Sequence, residues 1–200
     1  MMRLFRFVFS SYGEVRKYPK FTNVSGFHWC VYCDLDSTFE FLLVKPRDIP
    51  KWATKDSSLF LSFLAGYFDA EGCIGFDTRT ANHSVAWIVR SCDLHILRSA
   101  RRNLQNLGYH SSLRLARRAG ELNLKRDFWS LSISDRGVVS GLLAILPLLH
   151  PEKVAKARLV ATMKGSHWNT GWVDVGKLRA AIKAEVTCFR REAESALAAR

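Results

Sequence analysis

Between Ser58 and Ala70, the residues Leu59, Phe60, Leu61, Phe63, Leu64, Tyr67 and Phe68 put apolar side chains on nearly every side of a helix. Such a helix is expected to be buried all round. Asp56 and Ser57 can cap its start, and Gly72 is placed to end it. From Cys73 to Arg79 the period changes to two, with Ile74 and Phe76 on one side and Gly75, Asp77 and Arg79 on the other. Val85 to Val89 predicts a second strand, with Asn82-His83 as the turn between the two. Asp93 then stands where a cap would open a helix running through Leu107. Leu94, Leu97, Leu104 and Leu107 fall inward on it, Arg98, Arg101 and Arg102 outward, and Gly108 stops it.

A third strand is expected over Leu113 to Arg118, with Leu113 and Leu115 inward and Arg114 and Arg118 outward. Phe128 to Ser134 answers it, Trp129, Leu131 and Ile133 facing in and Ser130 and Ser132 out. Gly137 to Leu149 predicts another apolar helix, broken at Pro147. A further helix starts near Pro151, where proline suits the first turn. After the turn-rich stretch Gly165 to Gly171, a charged helix runs from about Val175 to Ala199. The order is α-β-β-α-β-β-α, an α+β fold. Strands that are apolar on one face and carry arginine and serine on the other need helices on one side only. The polar side of the antiparallel sheet stays open to a partner.

The beginning of the chain echoes this pattern. Tyr12 to Tyr18 resembles the turn and strand after Leu107-Gly108. Phe27 to Asp34 resembles Phe128 to Asp135, and Phe39 to Leu43 is a shortened copy of the helix after Gly137. Residues 1–44 are therefore expected to be a partial preceding repeat of two strands and a short helix. Residues 45–56, Lys45-Pro46-Arg47 onward, are a proline-broken linker, 57–165 the main domain, and 166–200 a helical extension.

Charge narrows the partner. Thirty Lys and Arg against 18 Asp and Glu give a net charge of +12, which favours a polyanion, nucleic acid first. No apolar run of about 18 residues occurs, so no membrane span is expected. The apolar part of Met1 to Phe9 is short, is interrupted by Arg6 and lacks a small-residue cleavage site, so it reads as part of the fold and not as a signal peptide. The five cysteines are odd in number. Cys30 and Cys33 form a C-x-x-C in a strand-like setting with no second pair to complete four ligands. They read as reduced thiols of an intracellular, non-secreted protein.

Leu64-Ala65-Gly66-Tyr67-Phe68-Asp69-Ala70-Glu71-Gly72 is similar to the signature of the LAGLIDADG homing endonucleases. It agrees at Leu64, Ala65, Gly66, Asp69, Ala70 and Gly72. Tyr67 and Phe68 replace aliphatic residues, and Glu71 replaces the last aspartate. Ile145 to Lys153 also resembles the family's late segment, in which a lysine reaches the active site. The resemblance implies a site-specific DNA endonuclease, a homing enzyme that cuts both strands of an allele lacking its intron or intein. It implies Mg²⁺ or another divalent cation held by Glu71 and the Ala70 carbonyl, oxygen ligands of the kind hard cations prefer. Lys153 is then a second catalytic residue, with Lys156 and Arg158 as its competitors, and Asp69 is a structural residue bonding backbone at the helix end.

The small Ala65 and Gly66 let a second motif helix approach, so Leu64, Ala65, Gly66, Tyr67 and Phe68 are the expected contact between two motif helices. One motif supplies one carboxylate, so cutting two strands requires a homodimer or another LAGLIDADG half. The open sheet face is expected to meet double-stranded DNA through Asp77, Arg79, Arg114, Arg118, Arg126, Ser130 and Ser132. The competing readings are a non-cleaving nucleic-acid-binding protein of the same fold (a maturase-like splicing factor or a DNA-binding regulator) and an inactive remnant of a two-motif enzyme.

Overall fold

Asp56 opens the motif helix. Its backbone is extended and its Oδ1 accepts the Leu59 amide at 2.8 Å, satisfying one of the amides that a helix start leaves unpaired. The computed structural model describes residues 2–23, 25–42, 46–77, 84–163 and 172–199. In chain order they form α1 (Met2–Phe9), β1 (Val15–Thr22), β2 (Gly26–Cys33), α2 (Ser57–Glu71), β3 (Gly72–Asp77), β4 (Ser84–Ser91), α3 (Leu94–Asn106), β5 (Ser112–Arg117), β6 (Phe128–Ile133), α4 (Arg136–Ile145), α5 (Pro151–Thr162) and α6 (Trp172–Ala198). Short 3-10 turns lie at Ser37–Leu42, Lys51–Thr54 and Glu121–Asn123. The chain divides into two compact units, residues 46–175 and residues 1–45 with 176–200.

In the larger unit the four strands form an antiparallel sheet in the order β3-β4-β6-β5. The expected α-β-β-α-β-β-α order is present. One sheet face carries Ile74, Val85, Trp87, Val89, Leu131 and Ile133, all buried against the helices. Phe68 of α2 stacks on Trp87 at 5.0 Å between ring centroids and 12° between planes. Each fully buried ring of this size contributes roughly 1.5–3 kcal/mol. The sheet thus holds the end of α2 rigidly over its first two strands.

Helix ends follow local chemistry. Gly108 takes φ +82°. The Tyr109 and Gly108 amides return to the carbonyls of Leu104 and Gln105, the paired closure that needs a left-handed residue after α3. Asp93 precedes α3 without capping it; its Oδ2 instead accepts the Ser91 hydroxyl at 3.2 Å. Asp135 caps α4 through the Val138 amide. That helix stops at Ile145, short of the expected Leu149, because the residue before Pro147 must be extended: Leu146 has φ −72° and ψ 122°.

Several boundaries move. Residues 46–56 do not act as a spacer, since Ile49 and Ala53 are buried in the core of the larger unit. Trp172 and Val175 join the same core, Trp172 meeting Phe76 edge-on at 5.9 Å, so the last helix begins before Val175. The turn expected at Asn82-His83 and the residue Arg79 fall outside the described residues.

In the smaller unit β1 and β2 pair along all eight residues of each, from Val15 opposite Cys33 to Thr22 opposite Gly26. Cys30 and Cys33 are three apart in β2 and so project from opposite faces, which denies them a shared ligand. Among the described residues no helix is long and apolar enough to cross a membrane.

Candidate active site and nucleic-acid face

The C-terminal turn of α2 and the N-terminal turn of α5 fasten each other. Asp69 Oδ2 accepts the amides of Leu149 at 2.7 Å and His150 at 3.0 Å, immediately before α5. In return Lys153 Nζ donates to the carbonyls of Phe68 at 2.6 Å and Asp69 at 2.5 Å. Both charges sit where helix dipoles favour them, the carboxylate at a helix start and the ammonium at a helix end. Lys153 is only 8% exposed. Burial pushes its ammonium below the ordinary lysine range, while the Asp69 and Glu152 carboxylates pull it back up. Its Nζ also lies 5.3 Å from the centre of the Phe68 ring.

Lys153 was expected to reach the active site as a second catalytic residue. Two of its three N–H groups are taken up by the Phe68 and Asp69 carbonyls, beside the candidate carboxylate. Of its competitors, Lys156 is tied to Glu152 at 2.5 Å, an ion pair that holds the Glu152 carboxyl below its usual range. Arg158 is exposed on α5. Asp69 is likewise occupied by backbone amides, and its second oxygen, Oδ1, is buried.

Glu71 is the last residue of α2, and both it and Ala70 are exposed. An exposed carboxylate next to backbone carbonyls at the negative end of a helix is a fitting oxygen set for a hard divalent cation. It is a partial one: among the described residues no three His, Cys, Asp or Glu side chains gather to hold a metal. A hard cation held here would draw its remaining oxygen ligands from outside these two residues, water included.

Gly72 follows. Its backbone is extended (φ −94°, ψ 165°), so the glycine is not there to supply a left-handed cap. A Cβ at this position would lie 2.0 Å from Cδ2 of the buried Phe68 ring. Close approach, not backbone freedom, explains the residue.

The outer face of the sheet has Arg90 opposite Ser130, and Ser130 opposite Arg114, in one row across β4, β6 and β5. Gly72, just after Glu71, pairs with Val89, just before Arg90. The candidate carboxylate and two exposed arginines therefore lie at the same level of the sheet. Asp77 ends β3 opposite Ser84, and Ser132 sits between Ile88 and Ser112.

Sequence reasoning missed Arg90 because its strand was ended at Val89; the alternation Val85, Val89, Ser91 continues two residues further, masked by a buried serine. Arg118 is not on the sheet. An irregularity between Leu115 and Arg117 shifts the register and sets Arg117 opposite Phe128, with Arg118 beyond the strand end. Ser130 points outward yet is 2% exposed between its two arginine neighbours, so it is not a free contact. Arg126 is exposed in the connection before β6.

The helix contact also needs correction. Leu64, Ala65 and Phe68 are buried in the chain's own core, at 1%, 1% and 0% exposure, and cannot form a surface for a second helix. Tyr67 is half-buried and stacks on Phe63, and burial pushes its phenol up to about 12. α2 was expected to be covered on all sides. Its open flank is Leu59, Ser62, Gly66 and Ala70, and a Cβ on Gly66 would meet nothing within 4 Å.

The family model for the LAGLIDADG-like domain matches residues 59–143. Residues 59–143 are a LAGLIDADG-like domain. The matched stretch runs from α2 through most of α4, and the α5 residues that fasten Asp69 lie beyond it.

Among solved structures, the meganuclease I-SmaMI bound to uncleavable DNA is similar over 90% of this chain and 81% of that one, at 9% identity and a TM-score of 0.54. That likeness shows the fold. The homing endonuclease I-CvuI, in complex with its target in the presence of calcium, is 22% identical over 53% of this chain and 66% of that one, with a TM-score of 0.41. I-CvuI with the I-CreI target and magnesium is 14% identical over 63% and 81%, with a TM-score of 0.45. No curated protein matches the chain.

Proposed function

We propose that this LAGLIDADG-like chain is a divalent-cation-dependent, site-specific DNA endonuclease of the homing type, working as one half of a two-motif enzyme. The observation that carries the reading is the shared level of Glu71 and the row Arg90–Ser130–Arg114 on the uncovered sheet face. Arginines spaced across strands suit phosphates and guanine edges of a duplex. The exposed Glu71 carboxylate then faces the same phosphates, where an unaccompanied negative charge would be repelled. A cation held by Glu71 and the Ala70 carbonyl removes that conflict and, when bound, supplies Lewis acidity for in-line phosphodiester hydrolysis. Lys153 enters through the turn that it holds.

Cutting two strands requires a second carboxylate. The flank Ser62, Gly66, Ala70, spaced four residues apart and free of bulk, supports close pairing of α2 with another motif helix, from a second copy or from a separate half.

The test is cleavage of a randomised duplex pool by the purified full chain with Mg²⁺, followed by sequencing of cut ends. Enrichment of one long site, cut on both strands and abolished by EDTA, is expected. A pool bound selectively but never cut would favour the non-cleaving binding protein, the reading that the single motif in this chain supports. On the selected site, Arg90→Ala is expected to weaken binding about tenfold, and to lower the slope of log affinity against log salt by about one if its contact is a phosphate. Titrations at several salt concentrations read both. Unchanged affinity would remove the sheet face from the interface.

A further inference from the structure

We propose that Asp69 and Lys153 are positioning residues that fix the direction of the Glu71 carboxylate by fastening the turn around it. The inference rests on Glu71 being the cation ligand. On the near side of Glu71, Asp69 is held twice by one stretch of chain: its carboxylate takes the Leu149 and His150 amides, and its carbonyl takes Lys153 Nζ. On the far side, Gly72 is seated directly against the Phe68 ring, and its amide donates to the Phe68 carbonyl, the other acceptor of Lys153. Phe68 is in turn clamped on Trp87. Ala70 and Glu71 therefore span two anchored points, and only the rotamers of Glu71 remain free to vary. An exposed ligand gains most from such fastening, because solvent rather than packing surrounds its side chain.

The arrangement separates this role from a direct one. A lysine acting on the phosphate needs its ammonium at the surface, whereas Lys153 is buried with two carbonyls in its grasp. Supporting groups behind a metal ligand typically alter metal affinity about 10- to 100-fold when lost.

The experiment compares the full natural chain with Asp69→Asn and Lys153→Met, which nearly preserve shape, and with Lys153→Arg, which keeps the charge. Three quantities are read: folding by circular dichroism, hydrogen exchange of the Gly72 amide by NMR, and affinity for Tb³⁺ by luminescence. In folded Asp69→Asn and Lys153→Met, Gly72 is expected to exchange at least tenfold faster while β4 and β6 amides do not. Tb³⁺ binding weakens about 10- to 100-fold, and the double variant is no worse than the poorer single one. Lys153→Arg recovers part of both losses and keeps the test alive should the methionine variant not fold. Unchanged Gly72 exchange and Tb³⁺ affinity would overturn the proposal, as would slower DNA cleavage in Lys153→Met with both readouts intact, the mark of a lysine on the phosphate. If Glu71→Gln binds Tb³⁺ as well as the natural chain, the cation reading of Glu71 fails, and the inference about its carboxylate with it, even where Gly72 exchange shows the turn to be fastened.

Discussion

Glu71→Gln is expected to abolish Mg²⁺-dependent cutting, by about a thousandfold or more, while DNA binding without cation is retained or slightly tightened. The substitution keeps the size and the exposed position at the end of α2. It removes the one charge that makes this turn attractive to a cation. A thousandfold loss corresponds to about 4 kcal/mol of transition-state stabilisation, within reach of a Lewis-acid contribution of several kcal/mol. Binding moves the other way, because a carboxylate that faces phosphates without its cation is repelled by them. Glu71 is exposed, so the melting temperature should change little. Single-turnover cleavage and a filter-binding titration in EDTA separate the two effects. Cutting at the natural rate by Glu71→Gln would end the endonuclease reading built on this residue.

Much of the scaffold for that chemistry was legible in the chain. Alternation along β3 and β6 and the three leucines of α3 set elements and faces, because burial on one side leaves a direct mark on residue type. Glu71 was singled out as a candidate through its nonamer, and its place at the end of α2 followed from the same pattern. Three features escaped. The flank of α2 that is open could not be told from the flank that is buried, since Leu59, Gly66 and Ala70 are as apolar or small as Leu64 and Ala65. A single serine, Ser62, is too weak a mark to give hydrophobic periodicity a direction on such a helix.

The second loss was register. Arg118 reads as the outward partner of Arg114 at period two, but an irregularity near Leu115 hands that role to Arg117. A single inserted residue moves every later side chain to the opposite face. Contacts of long sequence separation were equally hidden: Lys153 was singled out, yet nothing in its neighbourhood predicts that it grips carbonyls 84 and 85 residues away.

The two glycines of the motif should respond to alanine with opposite signs. At Gly72 the backbone suits alanine, so the effect must come from space alone. The added Cβ would stand 2.0 Å from Cδ2 and 2.5 Å from Cε2 of Phe68. That ring cannot retreat, because it is fully buried, stacked on Trp87 and covered by the Lys153 ammonium. Overpacking of a tight core typically costs about 1–3 kcal/mol, and the absence of an exit places Gly72→Ala at the upper end, near 3 kcal/mol. That is a fall in melting temperature of about 10 °C for a unit of this size. In a Phe68→Leu background the penalty should shrink, since the clashing ring edge is gone and the two sites are coupled by direct contact. Gly66→Ala meets open space within a helix interior and should instead raise the stability of the unpaired chain by about 0.5–1 kcal/mol. Calorimetry on Gly72→Ala, Gly66→Ala, Phe68→Leu and the Phe68→Leu/Gly72→Ala double variant decides the matter. An equal response at both positions would mean that the motif glycines serve helix propensity only, and that Phe68 does not seat the turn carrying Glu71.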